Sequence, residues 1–597
     1  MENIYAGRVA ALRSLMQERG WDAVVLTGSD PHSSEYPARR WKQVEWLSGF
    51  SGEAGDLVIT ADHAGLWTDT RYFIAAAKAL EGTGIELHKT RVEGQVLIPE
   101  WLARHFAGQE EYILAVDGLS ISAEAVQDIR KASALRGAGC LCANVPDLLS
   151  VLWKDRPQIP QTPVFQVDAG QSRQSKINWL RQTVASGGAD AILVSALDEI
   201  AWLLNVRAAD IDYNPLCISY LLVGRDKVQW FVLKEEVEDP VSGSTLEALS
   251  AQGIEMLRYD EVEMELASFE GVLQLDPATV NYSLMSSICA TTLPLPSPIA
   301  LRKAVKNDVE IRGMRDCHLR DGAAMEKFLH WLQKSVEAGR KVSEWDAAVK
   351  LGQLREGVEY YRGDSFETIS AFGPSGALPH YVTPHGEAPV IAEDGLYLVD
   401  SGGQYDDGTT DITRTLPLGE CTELEKEDYT LVLKGHIDLA MAVFPYGTAG
   451  CQIDALAREP LWRHGRNFGH GTGHGVGSFL GVHEGPADIR QNFNATPLLP
   501  GMVLSDEPGI YREGMHGVRH ENLLLVVEKG STPFGRWLGF EPLTLCHFDT
   551  SAILPELLDA EELEWLNAYN EKVYLCLRDS LSADEQAWLR DKTAPLK

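Results

Sequence analysis

Two acidic residues flank a short turn in the stretch LYLVDSGGQYDDGTTDITRT. An apolar run ends at Asp400, glycines and acids follow, and a β-branched run extends from Thr409 to Thr415, which is typical of strand, tight turn and strand. Asp400 and Asp411 lie eleven positions apart with their midpoint inside the turn, so a hairpin would place their carboxylates opposite one another. Because facing like charges destabilise a sheet, this arrangement predicts a cation between them.

A second pair of acids repeats this pattern in MVLSDEPGIYREGMHGVRHENLLLVVE. Glu507 and Glu521 are fourteen positions apart, and their midpoint is Gly514, within a segment rich in turn residues. The sequence therefore predicts a second hairpin with one acid on each strand.

Between the two predicted hairpins lies the segment GHGTGHGVG, which contains His470 and His474. Five of its nine residues are glycine, and each glycine costs about 1 kcal/mol relative to alanine in a helix. We therefore expect both histidines on extended or looping backbone, unlike the helical HExxH of zinc proteases.

Four carboxylates and one imidazole would form a donor set rich in oxygen, which suits Mn²⁺ or Co²⁺ better than a thiolate-rich zinc centre does. Their four negative charges would neutralise two divalent cations. Each part has a simpler interpretation, as an acid beside a turn or a histidine in a loop. The combination favours a metal site.

Four motifs, VDSGGQYDDGTTDITRT, GHGTGHGVGSFLGVHEGP, SDEPGIY and HENLLLV, resemble the catalytic signatures of the metallopeptidases with the pita-bread fold. Within that group the chain most resembles the long, three-domain cytosolic form of aminopeptidase P. The similarity extends nearly from end to end and includes WTDTRYF, LDEIAWLLNVR and EELEWLNAYNEKV.

The resemblance implies which residues hold metal. The ligands would be Asp400, Asp411, His474, Glu507 and Glu521. Asp411 and Glu521 would bridge two divalent ions, for which Mn²⁺ is the expected metal and Co²⁺ or Zn²⁺ are alternatives. Such ions can share a hydroxide and polarise a carbonyl, which suits amide hydrolysis.

Other residues would serve the substrate. The resemblance places His380 and His483 where imidazoles contact the peptide and the reaction intermediate, as donors or proton carriers. His470 is a candidate for the same role, with a structural role as the alternative. Arg519 could orient the carboxylates, and Arg71 is either a substrate contact or a surface arginine.

Two further histidines are not expected to bind metal. His385 fits a loop residue, and His520 should face away from Glu521, because neighbouring residues of a strand point to opposite sides.

The activity implied by the resemblance is release of the first residue from peptides with proline in second position. Metal-bound hydroxide would attack the Xaa-Pro amide, and the enzyme would be a homodimer. Two alternatives stay open: a prolidase that cleaves Xaa-Pro dipeptides, and a pita-bread protein that binds without catalysis. The three-domain length argues against the first, and the complete ligand set argues against the second. Competing signatures, GxSxG, GxxxxGK[ST] and HExxH, are not found.

Proline-rich stretches divide the chain into three predicted domains, 1–156, 157–300 and 301–597. The first two form a weak repeat of one α/β domain similar to the creatinase N-terminal domain, and the third is an α+β pita-bread domain with a helical extension. We expect strands at Trp46–Thr60 and Ala64–Trp67, a helix from Asp308, and a capping box of Ser343 with Asp346.

Composition limits the partners. The chain has 597 residues, 45% of them apolar, and a net charge of −33 from 53 basic and 86 acidic residues. Such a charge disfavours nucleic acid and anionic membranes. No apolar run approaches the roughly 18 residues of a spanning helix. Nine cysteines without CxxC spacing and a start that lacks a signal peptide predict a cytoplasmic protein with reduced thiols.

Overall fold

A computed structural model describes residues 3–233 and 240–597 of the chain. It divides into two compact units, Met1–Ile299 and Ala300–Lys597. Residues 1–2 of the first predicted domain and residues 234–239 of the second lie outside the described residues.

The first unit contains two six-stranded sheets and a two-stranded one. The strands of the first sheet are β1 (Ala23–Leu26), β2 (Asp56–Thr60), β3 (Ala64–Thr68), β4 (Glu86–Lys89), β5 (Glu111–Val116) and β6 (Gly139–Asn144). Those of the second are β8 (Ala191–Val194), β10 (Ser219–Gly224), β11 (Val228–Val232), β12 (Ile254–Arg258), β13 (Val272–Leu275) and β14 (Thr291–Pro294), while β7 (Phe165–Gln166) pairs with β9 (Val206–Arg207).

The two larger sheets have the same topology. Their orders are β4-β3-β2-β1-β5-β6 and β12-β11-β10-β8-β13-β14. In each sheet three adjacent strands pair antiparallel with one another, namely β3-β2-β1 in the first sheet and β11-β10-β8 in the second. All other pairs of neighbouring strands in these two sheets are parallel. The predicted repeat of one α/β domain is therefore confirmed.

Ten helices accompany these sheets in the described part of the first unit. They are α1 (Ile4–Arg19), α2 (Gln43–Ser48), α3 (Phe73–Ala79), α4 (Ile98–His105), α5 (Ala123–Leu135), α6 (Arg173–Ser186), α7 (Leu197–Leu204), α8 (Pro240–Ala251), α9 (Val262–Ser268) and α10 (Tyr282–Ser287). The expectation of a strand over Trp46–Thr60 is wrong for its first part, because α2 buries Val44 and Leu47 at helical spacing and ends at Gly49 in the left-handed conformation.

The second unit is built on antiparallel sheets. Its strands are β15 (Tyr361–Asp364), β16 (Ile369–Phe372), β17 (Gly395–Ser401), β18 (Gly403–Tyr405), β19 (Gly408–Thr409), β20 (Ile412–Leu418), β21 (Val443–Pro445), β22 (Gly473–Gly475), β23 (Glu484–Ile489), β24 (Val503–Asp506), β25 (Gly509–Arg512), β26 (His516–Arg519), β27 (Asn522–Thr532) and β28 (Gly535–Pro542). They form the sheets β15-β18-β19, β16-β17-β20, β21-β28-β27-β24-β22-β23 and β25-β26.

Helices cover these sheets, as expected for an α+β fold. They are α11 (Pro298–Ala304, which begins at the end of the first unit), α12 (Asp308–Glu337), α13 (Glu344–Glu356), α14 (Glu423–Ala440), α15 (Asp454–Arg463), α16 (Ala560–Leu577) and α17 (Ala583–Lys592). The helix predicted from Asp308 is confirmed, and so is the capping box of Ser343 with Asp346.

The main core of the second unit holds the first acid-bearing strands in place. Phe328 and Leu332 of α12 share a buried cluster with Tyr397 of β17, Leu416 of β20 and Val432 of α14. Strands β17 and β20 are buried along their whole length, so the acids at their ends are fixed by packing on both sides.

All nine cysteines are free thiols. None of the helices in residues 3–233 and 240–597 has the length and apolar composition that crossing a membrane requires.

Candidate metal centre

The first predicted hairpin forms, but its register differs from the prediction. Asp400 pairs with Thr413 across β17 and β20, and not with Asp411. Tyr405 pairs with Gly408, so the turn consists of two residues only and its centre lies one position further along the chain than expected. Because the centre of the hairpin moves by one position, each residue pairs with a partner two positions further along the opposite strand. A change of two residues keeps each side chain on the same face of the sheet. Asp411 therefore lies diagonally across from Asp400, just before β20.

The second hairpin has the predicted register. Asp506 pairs with Asn522 between β24 and β27, and Gly509 pairs with Arg519 between β25 and β26. Both pairs are centred on Gly514. Glu507 and Glu521 thus occupy facing positions at the point where the chain passes from the large sheet into the two-stranded one.

His474 lies on extended backbone, as predicted, in the middle of β22. The strand fits between its neighbours because Gly473 has no side chain: a Cβ there would lie 1.9 Å from the carbonyl oxygen of Ser505. The His474 amide donates to the Ser505 hydroxyl (3.0 Å), and imidazole Nδ1 lies 3.0 Å from the Gly475 carbonyl oxygen. Since a carbonyl only accepts, Nδ1 carries the proton and Nε2 presents its lone pair.

The five predicted ligands converge from these elements. Ligand atoms of Asp411, His474 and Glu521 lie within 4.8 Å of one another. His474 Nε2 is 3.5 Å from a carboxylate oxygen of Asp411 and 3.5 Å from one of Glu507. Asp400 joins the group through Arg519, whose Nη2 donates to it over 2.5 Å.

Buried hydrogen bonds fix the orientation of these carboxylates. The Thr413 hydroxyl donates to Glu521 (2.7 Å) and accepts from Arg519 Nε (3.1 Å). The guanidinium of Arg414 donates to the backbone carbonyl of Glu521 (2.6 Å), and the Ser505 hydroxyl donates to Glu507 (3.3 Å).

Burial and mutual repulsion make the acids costly to ionise without a cation. Burial raises the pKa of Asp411 well above its usual range, and the charges of Asp400 and Glu507 raise it further. Burial also raises the pKa of Glu521 well above its usual range, with Asp411, Glu507 and Asp400 adding to the effect. Burial raises the pKa of Glu507 to about 7, against the opposing effect of Arg519.

These residues fit divalent cations. Arg519 supplies one positive charge against four carboxylates, and Oδ1 of Asp400 is buried without a hydrogen-bond partner in the described structure. The donor set is rich in oxygen with a single imidazole nitrogen, which suits hard or borderline divalent metals. Two such ions would neutralise the four carboxylates.

Two of the predicted substrate-contacting histidines lie beside this centre. The ring of His483 is 4.3 Å from the ring of His474, at 77°. His470 Nε2 lies 2.7 Å from the Tyr511 hydroxyl, which accepts from Arg519 Nη1 over 2.8 Å. Tyr511 therefore connects His470 to the arginine that holds Asp400.

The other predicted residues have different surroundings. His380 is half-buried and follows the turn Gly373–Ala377, which packs closely on β26 at Gly517. Arg71 belongs to the first unit, where its guanidinium pairs with Asp69 (2.8 Å).

The two histidines predicted not to be ligands lie elsewhere. His385 pairs with Glu367 (3.3 Å), and His520 is buried between the rings of Tyr429 and Phe548. The surroundings of His520 agree with the prediction that its side chain faces away from Glu521.

Three residues that orient the centre were missed in the sequence: Thr413, Ser505 and Tyr511. Thr413 and Ser505 each lie two positions from a predicted ligand, and side chains two positions apart share a face of a strand. The spacing of two residues from a ligand is therefore the sequence signal for Thr413 and Ser505. For Tyr511 the sequence shows only that it lies near Glu507 in the motif SDEPGIY.

Family models match nearly the whole chain. Residues 312–528 match metallopeptidase family M24, and residues 536–596 match the C-terminal region of that family. Two models of the creatinase/prolidase N-terminal domain match residues 8–142 and 155–310.

Individual relatives are similar from end to end. A probable Xaa-Pro aminopeptidase P of Sordaria macrospora is 40% identical over 98% of this chain and 99% of its own length, and that of Aspergillus flavus is 38% identical over 99% and 92%. A solved X-prolyl aminopeptidase of Caenorhabditis elegans, described as a cytosolic enzyme with a di-nuclear active site, has a TM-score of 0.93 and 34% identity over 99% of this chain and 100% of that one. The Xaa-Pro dipeptidase of Bacillus anthracis (27% identity, TM-score 0.50) covers 62% of this chain and 98% of its own.

Proposed function

Since the chain belongs to metallopeptidase family M24, and within it to the Xaa-Pro aminopeptidase P group, we propose that it releases the N-terminal residue from peptides whose second residue is proline. The observation that carries this proposal is the clustering of ligand atoms around His474 Nε2. Ligand atoms of Asp411, His474 and Glu521 lie within 4.8 Å of one another, and a carboxylate oxygen of Glu507 lies close to the same nitrogen. That centre occurs in a chain that matches its relatives over its full length.

The proposed ligands of two divalent ions are Asp400, Asp411, His474, Glu507 and Glu521. As membership of the M24 family implies, we propose that Asp411 and Glu521 are the ligands shared by the two ions. Two divalent ions held by these residues would supply an activated water molecule and polarisation of the scissile carbonyl. Arg519 orients Asp400 through its hydrogen bond, and Thr413 does the same for Glu521.

The proposed substrate contacts are His483, His380 and His470. His483, beside the ligand His474, would donate to the carbonyl oxygen as charge develops there. His380 would pass a proton to the leaving nitrogen. His470 would contribute through Tyr511, and Arg71 stays a candidate for binding the substrate.

The substrate bond limits how the enzyme recognises it. A Xaa-Pro bond is a tertiary amide without N–H, so no hydrogen bond from that nitrogen can anchor it. Specificity then depends on a pocket for the pyrrolidine ring and on recognition of the free amino terminus.

We also propose which metal binds, how many chains assemble and where in the cell the protein acts. Mn²⁺ is the proposed ion, with Co²⁺ or Zn²⁺ as alternatives, and the chain is proposed to act as a cytoplasmic homodimer. The net charge of −33 supports the proposal that nucleic acid is not a partner. The division into domains 1–156, 157–300 and 301–597 stays a prediction.

A prolidase is the second candidate, because the Bacillus anthracis dipeptidase shares part of this fold. That enzyme leaves 38% of the present chain unmatched (100% − 62%), whereas the aminopeptidase relatives match all but a few residues. A non-catalytic pita-bread protein is disfavoured by the convergence of the ligand atoms.

Three peptides distinguish these functions. We expect the Mn²⁺-loaded chain to release Arg from Arg-Pro-Pro with a kcat/KM roughly 10–200-fold above that for Arg-Ala-Pro, because a pocket fitted to the ring gains about 1–3 kcal/mol. Arg-Pro serves as the dipeptide comparison. Equal values for the two tripeptides would rule out proline specificity, and cleavage of Arg-Pro alone would identify a prolidase.

A further inference from the structure

A second group of metal-binding side chains lies in the first unit. His63 is in the turn between β2 and β3, while Glu86 and His88 are on β4, the edge strand of the first sheet. Ligand atoms of these three residues lie within 4.8 Å of one another. They belong to a different compact unit from the centre described above.

The two imidazoles point at the same spot. Nε2 of His63 is 3.1 Å from Nε2 of His88. Nitrogens bound to one tetrahedral zinc ion at 2.0–2.1 Å lie about 3.3 Å apart, so a small rotation of either ring would admit the ion. Gly65 makes this convergence possible, because a Cβ there would lie 2.6 Å from His63 Nε2 and 2.7 Å from a ring carbon of His88.

The surroundings orient both rings. His88 stacks on Trp67 at 3.9 Å with an angle of 3° between the planes, and His63 lies 4.6 Å from Trp101. Glu86 Oε2 is 3.8 Å from His63 Nδ1, close enough to bind with the imidazoles or to hold the His63 ring.

We propose that His63, His88 and Glu86 form a second divalent-metal site, of the zinc class, that fastens the edge strand β4 to the turn between β2 and β3. Two imidazoles with one carboxylate suit Zn²⁺ better than Mn²⁺. The site would stabilise an edge strand that has a neighbour on one side only.

Zinc binding to the full-length chain tests this proposal. After metal removal and dialysis against micromolar Zn²⁺, the unmodified chain should hold one zinc more per chain than His63→Gln or His88→Gln. Glu86→Gln should weaken the same binding step by roughly 10–100-fold. Cu²⁺ in this site should show paramagnetic resonance coupling to two imidazole nitrogens, and to one in either histidine variant.

The neighbouring imidazole His105, which lies 3.6 Å from Asp62, provides the matched control. His105→Gln should keep the extra zinc, and peptidase activity with Mn²⁺ should be unchanged in every variant. We expect His63→Gln to fold normally, because His63 lies in a turn and is partly exposed, so loss of zinc in this variant would not result from misfolding. Equal zinc content in the unmodified chain and in His63→Gln would overturn the site and leave the two imidazoles as a hydrogen-bonded pair only.

Discussion

The side chains of the proposed centre divide into those that would hold metal and those that would act beside it. Glu521 is 1% exposed and interacts with three other carboxylates, so it is stable as an anion only with cations present. His483 approaches the ligand His474 from one side, where it would contact the substrate. Loss of the two residues should therefore have different consequences.

Glu521→Gln should lose bound Mn²⁺ and turnover together, because the amide cannot offset the charge of two cations. His483→Ala should keep its metal and lose roughly 10²–10⁴ in kcat, the scale of one acid–base or oxyanion contact. Metal content by elemental analysis and kcat on Arg-Pro-Pro measure both effects.

Glu528→Gln is the control, because Glu528 is on β27, the strand that begins directly after Glu521, and its side chain is exposed. It should change neither quantity. A His483→Ala chain that loses its metal would show that His483 is a ligand, contrary to the assignment.

Strand β22 presents His474 only because its glycines allow close packing. Its neighbour β24 carries Ser505, whose carbonyl oxygen would lie 1.9 Å from a Cβ at Gly473. The strand therefore has no room for even the smallest side chain at that position.

Gly473→Ala should move β22 away from β24 and with it His474, so that metal affinity falls and unfolding becomes easier by about 1–3 kcal/mol. Thermal denaturation and Mn²⁺ titration measure the two effects. Gly471→Ala in the same motif is the control, because the nearest atom to its added Cβ would be 3.4 Å away. If Gly473→Ala binds Mn²⁺ like the unmodified chain, β22 does not depend on that close approach.

The two hairpins show what the sequence can predict about the centre. The sequence predicts the register of the second hairpin correctly, because its turn residues surround Gly514 symmetrically. For the first hairpin it predicts a pairing that differs by two residues from the observed one, because Gly402, Gly403 and Gly408 offer several turn positions and only tertiary contacts choose among them. At Gly408 such a contact is direct, since a Cβ there would lie 2.6 Å from Sγ of Cys317 on α12.

Local signals predicted helices better than they predicted long-range contacts. The capping box at Ser343 and Asp346 located α13, because a cap is made within one turn of the chain. The sequence of the short helix α2 predicts a strand in its second half, since six residues give too little periodicity to distinguish a helix from a strand. Thr413 and Tyr511 were missed because their partners are distant in sequence.

At the scale of the whole molecule, the two α/β sheets repeat one topology and the metal centre belongs to the second unit alone. The repeat was visible in the sequence as similar helix and strand order, and the structure confirms it strand by strand. The match to the M24 model covers all four acids and the hairpin strands beside them. The creatinase/prolidase models cover the sheets of the first unit.

We propose that five residues of the second unit hold two divalent ions on which peptide cleavage depends. The most direct measurement is release of Arg from Arg-Pro-Pro by metal-free chain as Mn²⁺ is added, with bound Mn²⁺ counted at each step. We expect no activity without metal and full activity when two ions per chain are bound. Full activity in the metal-free chain, or a chain that binds no Mn²⁺, would contradict it.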